Sequence, residues 1–191
     1  MKKVINTLEQ IPKWYALGIA VLYGFLFAEY FSTVSHLISP VGLENSGFYD
    51  VLIKIMYFVT AISGIVVWIV STFFFHLTAV LFKGKARFKH FLKVSAYPYI
   101  VPAIIILIVI LVLDRTQITN VTVENAATVL ADNQQLKLAT LLVNLSFVPY
   151  YAMIAILIHY IHGIKWLYAA LSVIIPAGSA WAITQLLKTI L

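Results

Sequence analysis

The sequence has no cysteine and few charged residues. Without cysteine the chain forms no disulfide and offers no thiol nucleophile or thiolate ligand. Charged residues make up 10% of the chain and hydrophobic residues 62%. Because a soluble domain carries about 25% charged residues, this composition excludes the soluble class and indicates a protein that crosses the membrane several times.

Catalytic motifs are also missing. We find no HExxH pattern and no catalytic arrangement of a serine, a histidine and an acid. A glycine-rich phosphate loop and paired carboxylates are absent from the sequence as well. We therefore expect a noncatalytic chain with no cofactor and no metal. His76 can approach His159 and His162 at the inner ends of the predicted spans, and three imidazoles can bind zinc. Histidines at an interface more often only form hydrogen bonds there.

Five segments are apolar over the ~20 residues that a helix needs to cross a bilayer. Runs such as VPAIIILIVILVL are apolar on every face, which favours helices over the alternating strands of a barrel. The sequence predicts an all-α bundle of five transmembrane helices in a single integral membrane domain, residues 1–191. The predicted spans are 14–37, 51–82, 95–113, 138–161 and 166–190.

Basic residues alternate between the connections. Lys2, Lys3 and Lys13 precede the first span, the first loop has no basic residue, and the second loop has five of the thirteen in the chain. Because cytoplasmic loops are enriched in Lys and Arg, we expect a cytoplasmic N-terminus and an extracytoplasmic C-terminus, against which Lys188 is weak counter-evidence. Orientation thus accounts for the net charge of +6, and nucleic-acid binding is not expected.

The second loop is the first candidate site. Phe88, Phe91 and Leu92 fall on one side of a helix and lysines fall on the other. Such a helix dips its apolar face into the headgroup boundary and offers its lysines to anionic lipid, at about 1 kcal/mol each. The basic residues of this loop have two other interpretations. They orient the two adjoining spans, or they contact a protein partner. The candidate contact residues are Lys83, Lys85, Arg87, Lys89 and Lys93.

Ionisable residues inside the predicted spans form the second candidate site, because a charge in lipid is costly. Glu29 and His36 share a face of the first span, Lys54 enters the outer half of the second span, and His76 belongs to its inner half. A pair between Glu29 and Lys54 or His36 lowers the cost of desolvation. We expect this structural role rather than a proton relay.

The N-terminal segment, the third loop and the later spans each carry a local sequence pattern. Residues 2–13 have apolar residues at helical spacing, which suits an interfacial helix or a frayed tail, and no signal-peptide cleavage site follows them. Asn120 begins a glycosylation acceptor tripeptide. Four small residues would permit close helix approach: Gly163, Gly178, Ser179 and Ala180. Four prolines interrupt the last three spans: Pro98, Pro102, Pro149 and Pro176.

A long span ending in HLTAVLFKGKARF is followed by a basic helix and by AYPYIVP at the start of the next span. This order resembles the Yip family, five-span membrane proteins named for interaction with Ypt/Rab GTPases, and in particular its shorter prokaryotic relatives. The resemblance runs from about Ile55 to the C-terminus, where HYIHGIKWLYAALSVII is similar to the last two spans of the family and their tight cytoplasmic turn. It implies a cytoplasmic N-terminus, a luminal C-terminus and a role in membrane organisation or trafficking. Eukaryotic members place a substantial cytosolic region before the first span, where this sequence has about thirteen residues.

Two functions from different classes follow. The first is a noncatalytic Yip-type protein of a bacterial plasma membrane that acts through protein or lipid contacts. Its lipid partners would be anionic and would meet the cytoplasmic face. The alternative is a small transporter or channel that uses kinked spans and Glu29 as a substrate or proton site.

Overall fold

The computed structural model describes residues 7–8, 10–38, 47–116, 118, 121–122 and 125–190. Within these ranges the backbone is helical apart from turns and short irregular pieces, and no strand occurs. A 3-10 turn, Tyr97–Tyr99, separates the third and fourth helices. The helices are α1 Lys13–Leu37, α2 Gly47–Leu81, α3 Phe88–Ser95, α4 Ile100–Leu113, α5 Ala126–Asp132, α6 Gln134–His162 and α7 Trp166–Ile190.

Five helical segments in the described ranges are long and apolar enough to cross a membrane, which confirms the predicted all-α fold of five spans. The third segment begins at Phe88, seven residues before the predicted start at Ser95, because α3 continues through the 3-10 turn into α4. The basic helix predicted in the second loop is therefore the first part of this segment. The segments are Lys13–Leu37, Gly47–Leu81, Phe88–Leu113, Gln134–His162 and Trp166–Thr189.

Helix α2 is longer than a bilayer requires. Its 35 residues span about 52 Å at 1.5 Å per residue, whereas the hydrocarbon core is about 30 Å thick. Tyr57 stands about 36 Å along the axis from Leu81, the C-terminal residue of the helix. Helix α2 therefore extends beyond the hydrocarbon at one end or at both.

Some sequence predictions fall outside the described residues. They concern most of the predicted N-terminal interfacial helix, including Lys2 and Lys3, and Asn120 of the glycosylation tripeptide. The helical structure that is described begins with residues 7–8 and 10, and α1 follows from Lys13.

The chain divides into two compact units. The first unit comprises Met1–Gly18, Val66–Pro98 and Pro149–Leu191, and the second comprises Ile19–Ile65 and Tyr99–Val148. The described part of the first unit contains no Asp or Glu. The acidic residues Glu29, Asp50, Asp114 and Asp132 belong to the second unit.

In the second unit, α1 and α2 cross in backbone contact at two glycines. A Cβ added at Gly24 would lie closer to the Ala61 carbonyl oxygen than van der Waals contact allows, and one at Gly64 would clash with the Gly24 backbone. Ala20 and Ala28, one turn either side of Gly24, are fully buried. Small residues at every fourth position let the helices approach this closely, which is a common packing solution in membranes.

The small residues predicted to make close contacts behave differently. A Cβ at Gly178 meets no atom within 4 Å, and every described side chain from residue 178 to residue 189 of α7 is exposed, so the prediction of close approach there is wrong. Gly163 has φ +67° in the turn between α6 and α7, where its role is conformational. Of the four prolines, Pro149 and Pro176 lie inside helices, Pro102 lies in the first turn of α4, and Pro98 lies in the 3-10 turn.

Candidate functional site

The loop that follows α2 is shaped by a Schellman motif. The N–H of Lys83 donates to the Val80 carbonyl over 2.9 Å, and the N–H of Gly84 donates to the Ala79 carbonyl over 2.9 Å. These are the two hydrogen bonds that close a helix whose next residue is left-handed. Lys83 occupies that position with φ 66°, where glycine is usual and a side chain costs about 1 kcal/mol.

Gly84 lets the loop pass directly over a buried histidine. A Cβ at this position would lie 2.6 Å from Nδ1 of His162 and 2.7 Å from the Ala79 carbonyl oxygen. The next residue, Lys85, donates its backbone N–H to the carbonyl of His162 over 3.2 Å. The loop is thus hydrogen-bonded to the C-terminal residue of α6, whose carbonyl has no partner within the helix.

Helix α3 carries the basic face of the loop on a buried aromatic anchor. Phe91 is 0% exposed, and its ring centroid lies 5.2 Å from that of His162 and 6.3 Å from that of His76. Phe88 and Leu92 are half-buried. The prediction that this apolar side enters the headgroup boundary is therefore wrong for Phe91, because the interior of the first unit already surrounds it.

Ser95, at the end of α3, ties that helix to α2. Its Oγ donates to the Leu92 carbonyl over 2.9 Å, accepts from Trp68 Nε1 over 3.1 Å and lies 2.8 Å from Thr72 Oγ1. A serine hydroxyl has one donor and two acceptor positions. Since the Ser95 proton is directed at Leu92, Thr72 donates to Ser95, and all three positions are filled. Ser95 and Thr72 are both 0% exposed.

His76 and His162 meet beneath this loop. Nδ1 of His76 lies 3.4 Å from Nε2 of His162, which is 2% exposed. Nδ1 of His162 has no hydrogen-bond partner among the described residues. The approach of these two histidines agrees with the possibility read from the sequence.

The third histidine of the possible zinc set points elsewhere. Nδ1 of His159 lies 2.6 Å from the Ile164 carbonyl oxygen, and its ring stacks on Trp166 with centroids 4.1 Å apart. Among the described residues, no group of three or more His, Cys, Asp or Glu side chains is arranged to hold a metal ion. His159 therefore stabilises the turn between α6 and α7.

The candidate contact residues form a surface whose charges are all positive. Lys83, Lys85, Arg87 and Lys89 are exposed, and Lys93 is half-buried. The backbone bond from Lys85 to His162 brings the loop next to the α6–α7 turn, which adds a sixth cation that sequence reasoning did not group with them. We call the set the basic face, and its members are Lys83, Lys85, Arg87, Lys89, Lys93 and Lys165.

The predicted intramembrane polar residues do not form one site. Glu29, His36 and Lys54 belong to the second unit and are exposed, whereas His76 belongs to the first unit and is half-buried. The Tyr57 hydroxyl is close enough to the Glu29 carboxylate to interact with it electrostatically. Among the described residues, Glu29 forms no ion pair with Lys54 or His36.

A small cavity in the second unit lies beside Tyr57. It has a volume of about 90 Å³ and is lined by four residues that carry hydroxyls, Ser32, Ser35, Tyr57 and Thr60, and by the apolar residues Ala28, Phe31, Ile53 and Met56. A cavity of this size has room for a few water molecules.

Comparison of the chain with protein-family models, with curated proteins and with solved structures gave no match. The interpretation of the chain therefore depends on its own residues and their geometry.

Proposed function

We propose that this chain is a noncatalytic membrane protein of the Yip type, whose basic face lies on the cytoplasmic side and contacts anionic lipid headgroups. The resemblance in the sequence and the alternation of basic loops support this orientation. We place the protein in a bacterial plasma membrane, where anionic lipid is the natural counterion for such a surface.

The observation that carries the proposal is the fixed support beneath the basic face. Phe91 is buried, Ser95 is fully hydrogen-bonded, and the backbone of Lys85 is bonded to His162. A loop that only oriented two spans would need its charges and no such support. The support fixes the backbone that carries the cations before any ligand arrives, which lowers the entropy cost of binding.

Electrostatics favours an external anionic ligand for the basic face. The described part of the first unit has no Asp or Glu that would neutralise the basic face. Each cation near an anionic surface contributes about 1 kcal/mol. The attraction falls off over a Debye length of about 8 Å at physiological salt, so binding weakens as ionic strength rises.

The test is photo-crosslinking of lipids and proteins in membranes, followed by purification of the chain. The variant Lys85→Gln, Lys89→Gln, Lys93→Gln is compared with wild type. Loss of three cations removes about 3 kcal/mol, or roughly a hundredfold in affinity for anionic lipid. The matched control neutralises Lys54, Lys137 and Lys188, which changes the net charge equally and leaves the basic face intact.

The proposal fails if the first variant retains the same lipids and the same proteins as wild type, or if the control loses as much. If the variant loses a captured protein while its lipid capture is unchanged, the basic face binds a protein partner and not lipid. Reporter fusions at each loop test the orientation, and a cytoplasmic C-terminus would contradict it.

Transport through Glu29 has less support. Glu29 is exposed, so the described residues do not enclose its carboxylate in a binding site. The observation in its favour is the hydroxyl-lined cavity beside Tyr57. Flux into proteoliposomes that falls in Glu29→Gln would support this role, and flux insensitive to that change would reject it.

A further inference from the structure

An open groove in the second unit lies where α4 ends and α6 begins. Its volume is about 460 Å³. Helix α4 ends at Leu113 and α6 starts at Gln134, so the groove is at the end of two spans, where acyl chains give way to headgroups. It is lined by Ile108, Leu111, Val112, Arg115, Thr116 and Gln135.

The apolar wall of the groove is one stripe of a single helix. Ile108, Leu111 and Val112 are spaced three and four residues apart, so they share a face of α4. All three are exposed on the protein surface. The stripe offers a hydrocarbon chain little more than one turn of continuous contact, about 6 Å along the helix axis.

The rim of the groove carries one cation and one amide donor, and the exposed Asp114 precedes that cation in the chain. Arg115 follows the same stripe one turn beyond Val112, just past the end of α4, and is exposed. Gln135 adds a side-chain amide from the first turn of α6. The Thr116 hydroxyl is not available as a donor, because it already donates to the Val112 carbonyl over 3.3 Å.

We propose that this groove binds one anionic phospholipid. The guanidinium of Arg115 donates to the phosphate, the amide of Gln135 donates to a further headgroup oxygen, and one acyl chain lies along Ile108, Leu111 and Val112. A guanidinium is the side chain best matched to a phosphate, because its planar donors reach two oxygens at once. A zwitterionic lipid has the same tail but adds a cation that Arg115 would repel.

The site is separate from the basic face. The lining residues belong to the second unit and the basic face to the first. The proposal does not depend on the proposed function, since it concerns another group of cations. Each can fail without the other.

The chain offers a matched control for Arg115. Lys137 is a second exposed cation near the start of α6, but it does not line the groove, and its Nζ lies 3.8 Å from Oδ1 of Asp132. Arg115→Gln and Lys137→Gln therefore remove the same charge from the same end of the second unit. Arg115→Lys keeps the charge and loses the bidentate geometry.

The experiment uses the full chain in phosphatidylcholine nanodiscs that contain spin-labelled phosphatidylglycerol. The immobilised fraction of the labelled lipid is measured for wild type and the three variants. We expect the affinity for phosphatidylglycerol to fall about tenfold in Arg115→Gln, as for loss of a charge-assisted hydrogen bond. Lys137→Gln should match wild type, and Arg115→Lys should fall between them.

Equal immobilisation in Arg115→Gln and wild type would overturn the proposal, and so would an equal loss in Lys137→Gln. Soluble glycerol phosphate is added in a further arm. Displacement of the labelled lipid by glycerol phosphate at matched concentration would show that the rim binds phosphate without the acyl chain, which also contradicts a phospholipid site. A melting temperature unchanged between Arg115→Gln and Lys137→Gln shows that lost binding is not lost folding.

Discussion

Replacement of Gly24 by alanine tests the backbone contact between α1 and α2. The added Cβ would overlap the Ala61 carbonyl oxygen and lie 3.4 Å from the Gly64 Cα. Both are backbone atoms of a helix and cannot turn aside as a flexible side chain does. Relief requires the two helices to move apart.

The separation needed is about 1 Å, and a gap of this size forfeits up to half of the dispersion energy of the atoms that face each other. Overpacking of this kind costs about 1–3 kcal/mol. Alanine in place of glycine inside a helix recovers about 0.5–1 kcal/mol. We therefore expect Gly24→Ala to lower the free energy of unfolding by about 1–2 kcal/mol.

Gly18, on the same helix, provides the control. A Cβ at Gly18 meets no atom within 4 Å, so Gly18→Ala gains helix propensity without a clash and should stabilise the chain by about 0.5–1 kcal/mol. The difference between the two variants isolates the steric cost, because the change in propensity is common to both. The assay is reversible unfolding of the purified chain in mixed micelles, followed by tryptophan fluorescence.

A Gly24→Ala variant as stable as Gly18→Ala would refute the reasoning. The double variant Gly24→Ala, Gly64→Ala gives a second check. Because the first substitution already separates the helices, the second should cost less than it does alone. Additive losses would mean that the two glycines do not share one contact.

Two further predictions concern the support of the basic face. Ser95→Ala leaves the donors of Trp68 and Thr72 without their partner in a buried position, and should lower the free energy of unfolding by about 1–3 kcal/mol, measured by the same unfolding assay. Phe91→Ala removes a side chain that is 0% exposed and should cost about 3–5 kcal/mol, with faster proteolysis of the loop at Lys85.

Each of these predictions has a control of the same chemistry. Ser179→Ala changes an exposed serine of α7 and should leave unfolding unchanged within about 0.5 kcal/mol. Phe88→Ala changes a half-buried phenylalanine of the same helix and should cost clearly less than Phe91→Ala. A Ser95→Ala variant indistinguishable from Ser179→Ala would contradict the hydrogen-bond assignment, and equal losses at the two phenylalanines would contradict the anchor.

The spans were predictable from the sequence because membrane insertion depends on hydropathy over about 20 residues, a property of the local chain. The start of the third segment was placed at Ser95 rather than at Phe88 because α3 is amphipathic. The charged side of α3 is typical of a loop. Its aromatic side predicts contact with lipid, because sequence alone does not reveal that His76 and His162 lie behind Phe91.

The contacts within the candidate sites depend on tertiary structure and were predicted less well. Trp68 and Thr72 are one turn apart on α2, but only the packing of α3 on α2 brings Ser95 next to them. The sequence predicts that Glu29 pairs with Lys54 or His36, whereas Glu29 forms no such ion pair among the described residues. The glycine contact did have a signal, since Ala20, Gly24 and Ala28 recur at every fourth residue.

The saturated hydroxyl of Ser95 has a mechanical consequence. Helix α3 cannot slide or roll on α2 without breaking bonds whose donors find no water, because Ser95 and Thr72 are both 0% exposed. The basic face and the part of α2 that carries Trp68 and Thr72 therefore move as one body within the first unit. A ligand that pulls on the basic face should act on this part of α2 as well as on the loop.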